Sequence, residues 1–208
     1  MLMDALKSFA AFFLGYVIGS FNTAVIVGKF YGKDITSHGS RSAGLSNTLR
    51  VLGMSAAAFV LVGDVLKGII ACLIGLYVGV YTYSGETADC VSLLVAGTGA
   101  VVGHNWPVYF GFKGGKGALT AVSVLFMLDW LMALMCVGLF VIIVASTRFI
   151  SLGTICAALF FLAISFIPAF GHAFYFHLFT GLMAAIVVVK HQQNIQRLIA
   201  GNENKLSF

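Results

Sequence analysis

The sequence predicts an all-α protein that crosses a lipid membrane several times, and three observations carry this prediction. Hydrophobic residues make up 60% of the 208 residues and charged residues only 9%, whereas a soluble domain is about half apolar and a quarter charged. The mean hydropathy is +1.02. The apolar stretches are continuous rather than alternating, which indicates helices and not a membrane barrel. Such a chain cannot cover a water-facing surface, which excludes a soluble domain and a soluble nucleic-acid binder.

Seven stretches of the chain are apolar enough to be spanning helices. A helix needs roughly 20 apolar residues to cross the hydrocarbon core. Asp4 and Lys7 lie at the start of the first stretch, which has no small-residue cleavage site, so we expect it to be retained. The fourth stretch is short, and five crossings remain possible if short stretches do not cross. The predicted spans lie near residues 5–27, 52–80, 91–108, 117–128, 130–146, 150–168 and 175–190.

The basic residues orient these spans, because cytoplasmic loops carry an excess of Lys and Arg. Lys7 alone falls on the opposite side, with Asp4, Glu86, Asp89 and Asp129. The sequence therefore predicts an outside N-terminus, a cytoplasmic C-terminus and one integral domain over residues 1–208. The cytoplasmic side carries Lys29, Lys33, Arg41, Arg50, Lys113, Lys116, Arg148, Lys190, Arg197 and Lys205.

The first cytoplasmic loop has the composition of a phosphate-binding turn. Gly39 permits a positive φ and close backbone approach, and successive N–H groups in such a turn form an anion-binding concavity. Ser40 and Asn47 add polar groups, while Arg41 and Arg50 add positive charge. The alternative is a polar membrane loop whose arginines only satisfy the charge asymmetry across the membrane.

The third loop is rich in glycine and lysine. Lys113 and Lys116 flank two of its glycines, and the segment opens a predicted helix, whose N-terminus attracts anions. It is not a Walker A loop, because a glycine occupies the Ser/Thr position. The predicted phosphate-binding glycines are Gly114, Gly115 and Gly117.

The C-terminal segment places polar residues at helical spacing. His191 and Asn194 are three apart, as are Asn194 and Arg197, so they are predicted to share a helix face. This stripe could line a cavity at the membrane surface. The alternative is an ordinary basic segment that ends the last span.

Two further groups receive structural interpretations. Asp64 and Lys67 lie three apart in the second span and predict a buried ion pair, with contact to a ligand phosphate as the alternative. His104 and Trp106 are expected to anchor at the membrane interface. The four cysteines include no C-x-x-C pair and the acidic residues are dispersed, so no metal or cofactor is expected.

Taken together, these motifs resemble the membrane-integral, acyl-phosphate-dependent glycerol-3-phosphate acyltransferases of bacteria. Several spaced matches in the same order are more specific than any one loop. The resemblance includes Gly19-Ser20, Arg50 to Gly53, Asp64 with Lys67-Gly68, Gly103-His104, Pro107, Phe112 to Gly117, Arg148, Ser151-Leu152, His191, Asn194-Ile195, Arg197-Leu198, Gly201, Glu203 and Lys205.

The resemblance implies a seven-helix fold in the bacterial inner membrane with an active site facing the cytoplasm. The implied reaction moves a fatty acyl group from acyl phosphate to glycerol 3-phosphate and yields lysophosphatidic acid, the first acylation step of phospholipid synthesis. Besides both substrates, the implied partner is membrane lipid, with no nucleic acid and no obligate protein partner. The residues carried over by motif are Ser40, Asn47, Arg50, Lys116, Ser151, His191 and Asn194.

The first loop departs from the family pattern. Arg41 stands where the family usually has glycine, and Ser42, Leu45 and Ser46 replace asparagine, alanine and threonine. Arginine at that position either prevents a turn with positive φ or supplies a charge of its own. The alternatives are therefore a diverged member with another acceptor or no activity, and a membrane transporter, since charged residues in spans also mark ion paths.

Overall fold

The computed structural model describes residues 1–81 and 90–206, and these residues are almost entirely helical. Beyond ten α-helices they contain two short 3₁₀ turns, at Val108–Phe110 and Pro168–Phe170, and an isolated bridge between Tyr81 and Cys90. Glu86 and Asp89 lie outside the described residues. The helices are α1 (Leu2–Gly19), α2 (Thr23–Phe30), α3 (Leu45–Leu52), α4 (Met54–Val78), α5 (Val91–Asn105), α6 (Ala118–Leu128), α7 (Trp130–Thr147), α8 (Ile150–Ser165), α9 (Phe174–Lys190) and α10 (Gln192–Ile199).

Each of the seven predicted spans lies largely in helix, and the first is interrupted between α1 and α2. The first is broken after Gly19, and the Asn22 side chain restarts the helix by accepting a hydrogen bond from the Val25 N–H at 3.1 Å. By length and composition, three helical segments of the described chain can cross a membrane: 2–30, 54–78 and 130–147. The bent pair α9–α10 makes up to four. The count of seven crossings stays a prediction.

The chain divides into two compact units, 1–127 and 128–208. In the first, α1 and α5 pack through small residues spaced four apart. A Cβ on Gly15 or Gly19 would collide with the α5 backbone at Ala96 or Ala100, and one on Gly99 or Gly103 would collide with α1. Small residues of this kind let membrane helices approach closely.

A small apolar core fixes the loop between α2 and α3. Ile35 and Ala43 of that loop are 1% exposed and pack with residues of α2 and α4. The loop is therefore anchored at two points, and the polar residues between them are held on a defined backbone. The apolar partners are Ala24, Val27, Ala56 and Val60.

In the second unit, α7 packs on α8 and α8 on α9. Asp129 begins α7 by accepting a hydrogen bond from the Met132 N–H at 2.9 Å. Phe161 of α8 meets Phe176 and Phe179 of α9 edge to face, a favoured geometry for aromatic pairs. At His191 the chain bends by 60° into α10, which carries the C-terminal polar residues.

Candidate functional site

Asn47 organises the first loop. Its Oδ1 accepts the Ser40 N–H at 2.8 Å, and its Nδ2 donates to the carbonyl oxygens of Ile35 at 2.9 Å and His38 at 3.0 Å. Asn47 is 1% exposed, and a Cβ on Gly39 would collide with its Oδ1. The amide therefore fixes the turn from within, which explains why glycine and asparagine are needed at these two positions.

Arg41 adopts the positive φ that the turn of the first loop requires. Its φ is +57°, in the left-handed region that arginine rarely adopts. Of the two expectations for this position, the loss of a turn with positive φ is therefore wrong. The loop keeps the turn and gains an exposed guanidinium.

The first loop holds cationic and hydroxyl groups that the protein itself does not satisfy. Arg41 and Arg50 are exposed and form no ion pair within residues 1–81 and 90–206. In the same part of the chain, Ser40 Oγ makes no hydrogen bond and Ser40 is half-buried. Arg50 lies in α3, in the last turn of a helix that the sequence analysis treated as irregular loop. These groups are available to an anion.

The glycine-rich segment packs against the end of α5 before α6 begins. The Gly115 N–H donates to the His104 carbonyl at 3.1 Å, so this N–H is not free for a ligand. A Cβ on Gly114 would collide with the same carbonyl, and Gly117 has a φ of +70°. Lys113 is exposed and Lys116 half-buried. The segment thus carries its two lysines on a closely packed backbone.

The predicted ion pair of the second span is present. Lys67 Nζ lies 2.8 Å from Asp64 Oδ1, and both side chains are buried. His104 joins them, with its Nδ1 at 2.6 Å from Lys67 Nζ. His104 is 3% exposed, so its expected place at the membrane interface is wrong: the ring turns inward to a charged partner.

In the second unit, three predicted site residues converge on one carboxylate. Ser151 Oγ and Asn194 Nδ2 donate to Glu203 Oε1 at 3.0 and 2.7 Å. Arg197 Nε donates to Glu203 Oε2 at 2.7 Å. The sequence analysis named Glu203 only among the residues that resemble the family and assigned it no role. Asn194 and Arg197 lie 9 and 6 residues from it, but Ser151 lies 52 residues away, where helix spacing gives no signal.

Glu203 is held as a carboxylate. Burial is the largest influence and raises the pKa of its carboxyl. The hydrogen bonds from Arg197, Asn194 and Ser151, with the charge of Arg197, outweigh burial and lower the pKa below its ordinary value of 4.5. Three side chains are thereby fixed around one charge.

His191 lies at the bend between α9 and α10, whereas Asn194 lies within α10. The prediction that both residues lie on one face of a single helix required His191 to be inside that helix. The ring is buried, and its Nδ1 lies 2.8 Å from the Val187 carbonyl oxygen. A carbonyl only accepts, so Nδ1 carries the proton and Nε2 is the basic nitrogen of the neutral ring. This arrangement suits a proton acceptor.

A sequence profile of the family described as Glycerol-3-phosphate acyltransferase matches residues 3–201. The chain belongs to the glycerol-3-phosphate acyltransferase family. The glycerol-3-phosphate acyltransferase of Thermoanaerobacter pseudethanolicus is 40% identical over 194 residues, which cover 93% of this chain and 92% of that protein. The one from Shouchella clausii is 39% identical over 201 residues and 95% of each chain. The resemblance drawn from the motifs is confirmed.

Two solved structures share the fold of this acyltransferase. They are PlsY, an integral membrane glycerol 3-phosphate acyltransferase, in a glycerol 3-phosphate form and a lysophosphatidic acid form. The first gives a TM-score of 0.87 at 30% identity over 96% of both chains. The second gives 0.84 at 30% identity over 96% of this chain and 95% of that chain. The protein is therefore an all-helical integral membrane acyltransferase.

Proposed function

We propose that this protein transfers a fatty acyl group from acyl phosphate to glycerol 3-phosphate, giving lysophosphatidic acid and phosphate. The proposal rests on a set of basic side chains that form no ion pair with the protein's own carboxylates in the described part of the chain. Arg41, Arg50 and Lys113 are exposed and form no ion pair within the described part of the chain. Both substrates bring phosphate, whose charge these groups would neutralise.

The proposed topology follows the distribution of basic residues. Seven crossings place the N-terminus outside and the C-terminus in the cytoplasm, within one integral domain of the bacterial inner membrane. On this topology the first loop, the glycine-rich segment and the C-terminal segment all face the cytoplasm. Membrane lipid is the surrounding partner. A reporter fused to the C-terminus would check the orientation.

Each polar group receives a role in substrate binding. In the first unit, Ser40 and Lys116 bind substrate phosphate, and the backbone around them is shaped by Gly39, Asn47, Gly114, Gly115 and Gly117. Arg41 and Arg50 of the same unit neutralise substrate charge. In the second unit, Ser151, His191 and Asn194 contact substrate, and Arg197, whose Nε pairs with Glu203, adds charge. Glu203 supports this assignment, because it fixes Ser151 and Asn194 before any substrate arrives. Preorganised groups contribute most to catalysis, since they need no rearrangement in the transition state.

The chemistry needs positioning more than a covalent nucleophile. The phosphate of acyl phosphate is a good leaving group, so the acceptor hydroxyl attacks the acyl carbon directly. The new carbon–oxygen ester bond forms as the acyl carbon–phosphate oxygen bond breaks, and phosphate departs. His191 Nε2 takes the hydroxyl proton, in keeping with its Nδ1 contact to Val187. A phosphate oxygen of a substrate is the competing acceptor for that proton.

One assay tests this function. Purified protein in detergent is incubated with acyl phosphate and glycerol 3-phosphate, and lysophosphatidic acid and phosphate are measured in equal amounts. Lys116→Ala should fold normally and lose activity by about 100-fold. If product formed only from acyl-CoA or acyl carrier protein, acyl phosphate would not be the acyl donor and the proposal would be wrong. Substrate flux across liposomes without acyl transfer would indicate the transporter instead.

A further inference from the structure

Three buried ionisable side chains in the first unit take no part in the proposed reaction. Asp64 and Lys67 lie one turn apart on α4, and His104 lies in the last turn of α5. Their side chains are 2%, 5% and 4% exposed. Lys67 Nζ contacts Asp64 Oδ1 at 2.8 Å and His104 Nδ1 at 2.6 Å. They form one contiguous charged cluster inside the helix packing.

Stability alone is a poor explanation for this cluster. Replacing a buried ion pair by well-packed apolar residues is often neutral or stabilising, because burial strips water from both charges. Ionisable residues within membrane segments are costly and usually serve a function. An explanation must therefore rest on something that apolar side chains cannot supply, namely the direction of hydrogen-bond donors and acceptors.

The cluster sets the orientation of the His104 ring. Lys67 Nζ is the nearer contact of His104 Nδ1, at 2.6 Å against 3.6 Å for Asp64 Oδ1. A lysine ammonium only donates, so Nδ1 accepts from Lys67 and the neutral ring carries its proton on Nε2. Nε2 lies against the glycine-rich segment: a Cβ on Gly115 would collide both with Nε2 and with the Ala43 carbonyl oxygen of the first loop. The cluster therefore aims an N–H donor at the place where these two loops meet.

Two hydrogen bonds to the backbone carbonyls of His104 and Asp64 hold the chain on either side of Lys116. The Gly115 N–H donates to the His104 carbonyl at 3.1 Å. The Thr120 Oγ1 donates to the Asp64 carbonyl at 3.2 Å. Lys116 lies between these anchors, one residue after the first and four before the second.

We propose that Asp64, Lys67 and His104 position the glycine-rich segment so that Lys116 meets the substrate phosphate. They are positioning residues, since they act through the Gly115 N–H and the Thr120 hydroxyl. The inference rests on the proposed function, in which Lys116 binds phosphate. It predicts that disturbing the cluster weakens substrate binding more than it slows the chemical step.

A pair of His104 variants tests the proposal. His104→Asn places an acceptor near the Nδ1 position and keeps the Lys67 contact, but it lacks a donor at Nε2. His104→Gln reaches the Nε2 position and keeps a donor toward Gly115. We expect the Asn variant to raise the KM of a phosphate substrate about tenfold, with a smaller change in kcat, and the Gln variant to stay within about threefold. Equal KM values in wild type and the Asn variant would overturn the proposal.

A second readout does not depend on activity. Trypsin cuts after lysine, so the rate of cleavage at Lys113 and Lys116 in the folded protein reports how firmly the segment is held. Cleavage should be faster in His104→Asn than in His104→Gln. If wild type makes no product from acyl phosphate, the proposed function fails, and faster cleavage in the Asn variant still supports the positioning role.

Thr120→Val is the milder variant, in case the Asn variant does not accumulate. It removes only the link from the Thr120 hydroxyl to the Asp64 carbonyl and keeps the shape of the side chain. We expect a KM about threefold higher and faster cleavage at Lys116. A KM and a cleavage rate equal to those of wild type would overturn the proposal.

Discussion

Arg50 of the first unit is exposed and has no ion-pair partner within the described chain, whereas Arg197 of the second unit lies 2.7 Å from Glu203. The same side chain thus has two uses. Paired with an internal carboxylate, it helps to fix Ser151 and Asn194 around a common centre. Arg50 has no such carboxylate partner in the described chain, so its charge can neutralise a bound anion. Loss of Arg50 should therefore affect activity, and loss of Glu203 should affect folding.

The largest effect is expected from Arg50→Ala. The side chain is exposed, so stability should change by less than about 0.5 kcal/mol. If Arg50 neutralises substrate charge in the transition state, kcat/KM should fall by about 100- to 1000-fold. Acyl transfer and thermal unfolding, measured on one preparation, check both parts.

Lys33→Ala is the matched control for Arg50→Ala. Lys33 is another exposed cation of the first loop, and we assign it no role in binding. Its removal should change kcat/KM by no more than about twofold. Equal losses in the two variants would mean that the loop acts only through its total charge.

Glu203→Ala should destabilise the second unit. The substitution leaves Ser151, Asn194 and Arg197 without their common acceptor. Breaking a buried pair costs about 3–5 kcal/mol, but Arg197 is 32% exposed and can be partly hydrated. We therefore expect a loss of about 2–3 kcal/mol, seen as a lower unfolding temperature. Glu203→Gln keeps an acceptor for Ser151 and Asn194 and should lose less; an unchanged unfolding temperature in both variants would contradict the role of Glu203.

Acid should act on the second unit through the same carboxylate. The pKa of Glu203 is lowered on folding from its ordinary value of 4.5, so the ionised form is favoured in the fold. Its contribution to stability is complete above about pH 4.5 and is lost as the pH falls through the lowered folded value. Unfolding temperatures between pH 6 and pH 3 should therefore fall more steeply in wild type than in Glu203→Gln. Parallel curves would assign the acid sensitivity to other groups.

The sequence was sufficient for the predicted spans because each is a continuous apolar run, but not for α3, whose residues Leu45–Leu52 mix polar and apolar side chains. It was insufficient where a polar side chain ends or restarts a run, as Asn22 does between α1 and α2. Among the site residues, Asn47 was predicted as a ligand group, but its amide is used within its own loop.

Glu203 and His104 were misjudged for a related reason. Each has one partner that lies far along the chain, 52 residues from Glu203 to Ser151 and 37 from His104 to Lys67. Local spacing reports only which residues share a helix face. Tertiary packing decides which of two similar polar residues faces a ligand and which faces the protein.

The smallest effect is expected from Arg41→Gly. A left-handed backbone costs a residue other than glycine roughly 1–2 kcal/mol, and Arg41 has a φ of +57°. Glycine removes this strain but brings an entropic cost of about 0.5–1 kcal/mol. The variant should therefore be as stable as wild type or more stable by up to about 1.5 kcal/mol.

Kinetic measurements on Arg41 variants show whether Arg41, like Arg50, binds the phosphate of a substrate. If its exposed guanidinium attracts substrate phosphate, Arg41→Gly should raise the KM about threefold, and Arg41→Lys should restore it while keeping the strained turn. A stabilised glycine variant with wild-type KM would show that Arg41 is a tolerated replacement without a ligand. In that case Arg50, and not Arg41, would be the arginine of the first loop that binds the substrate.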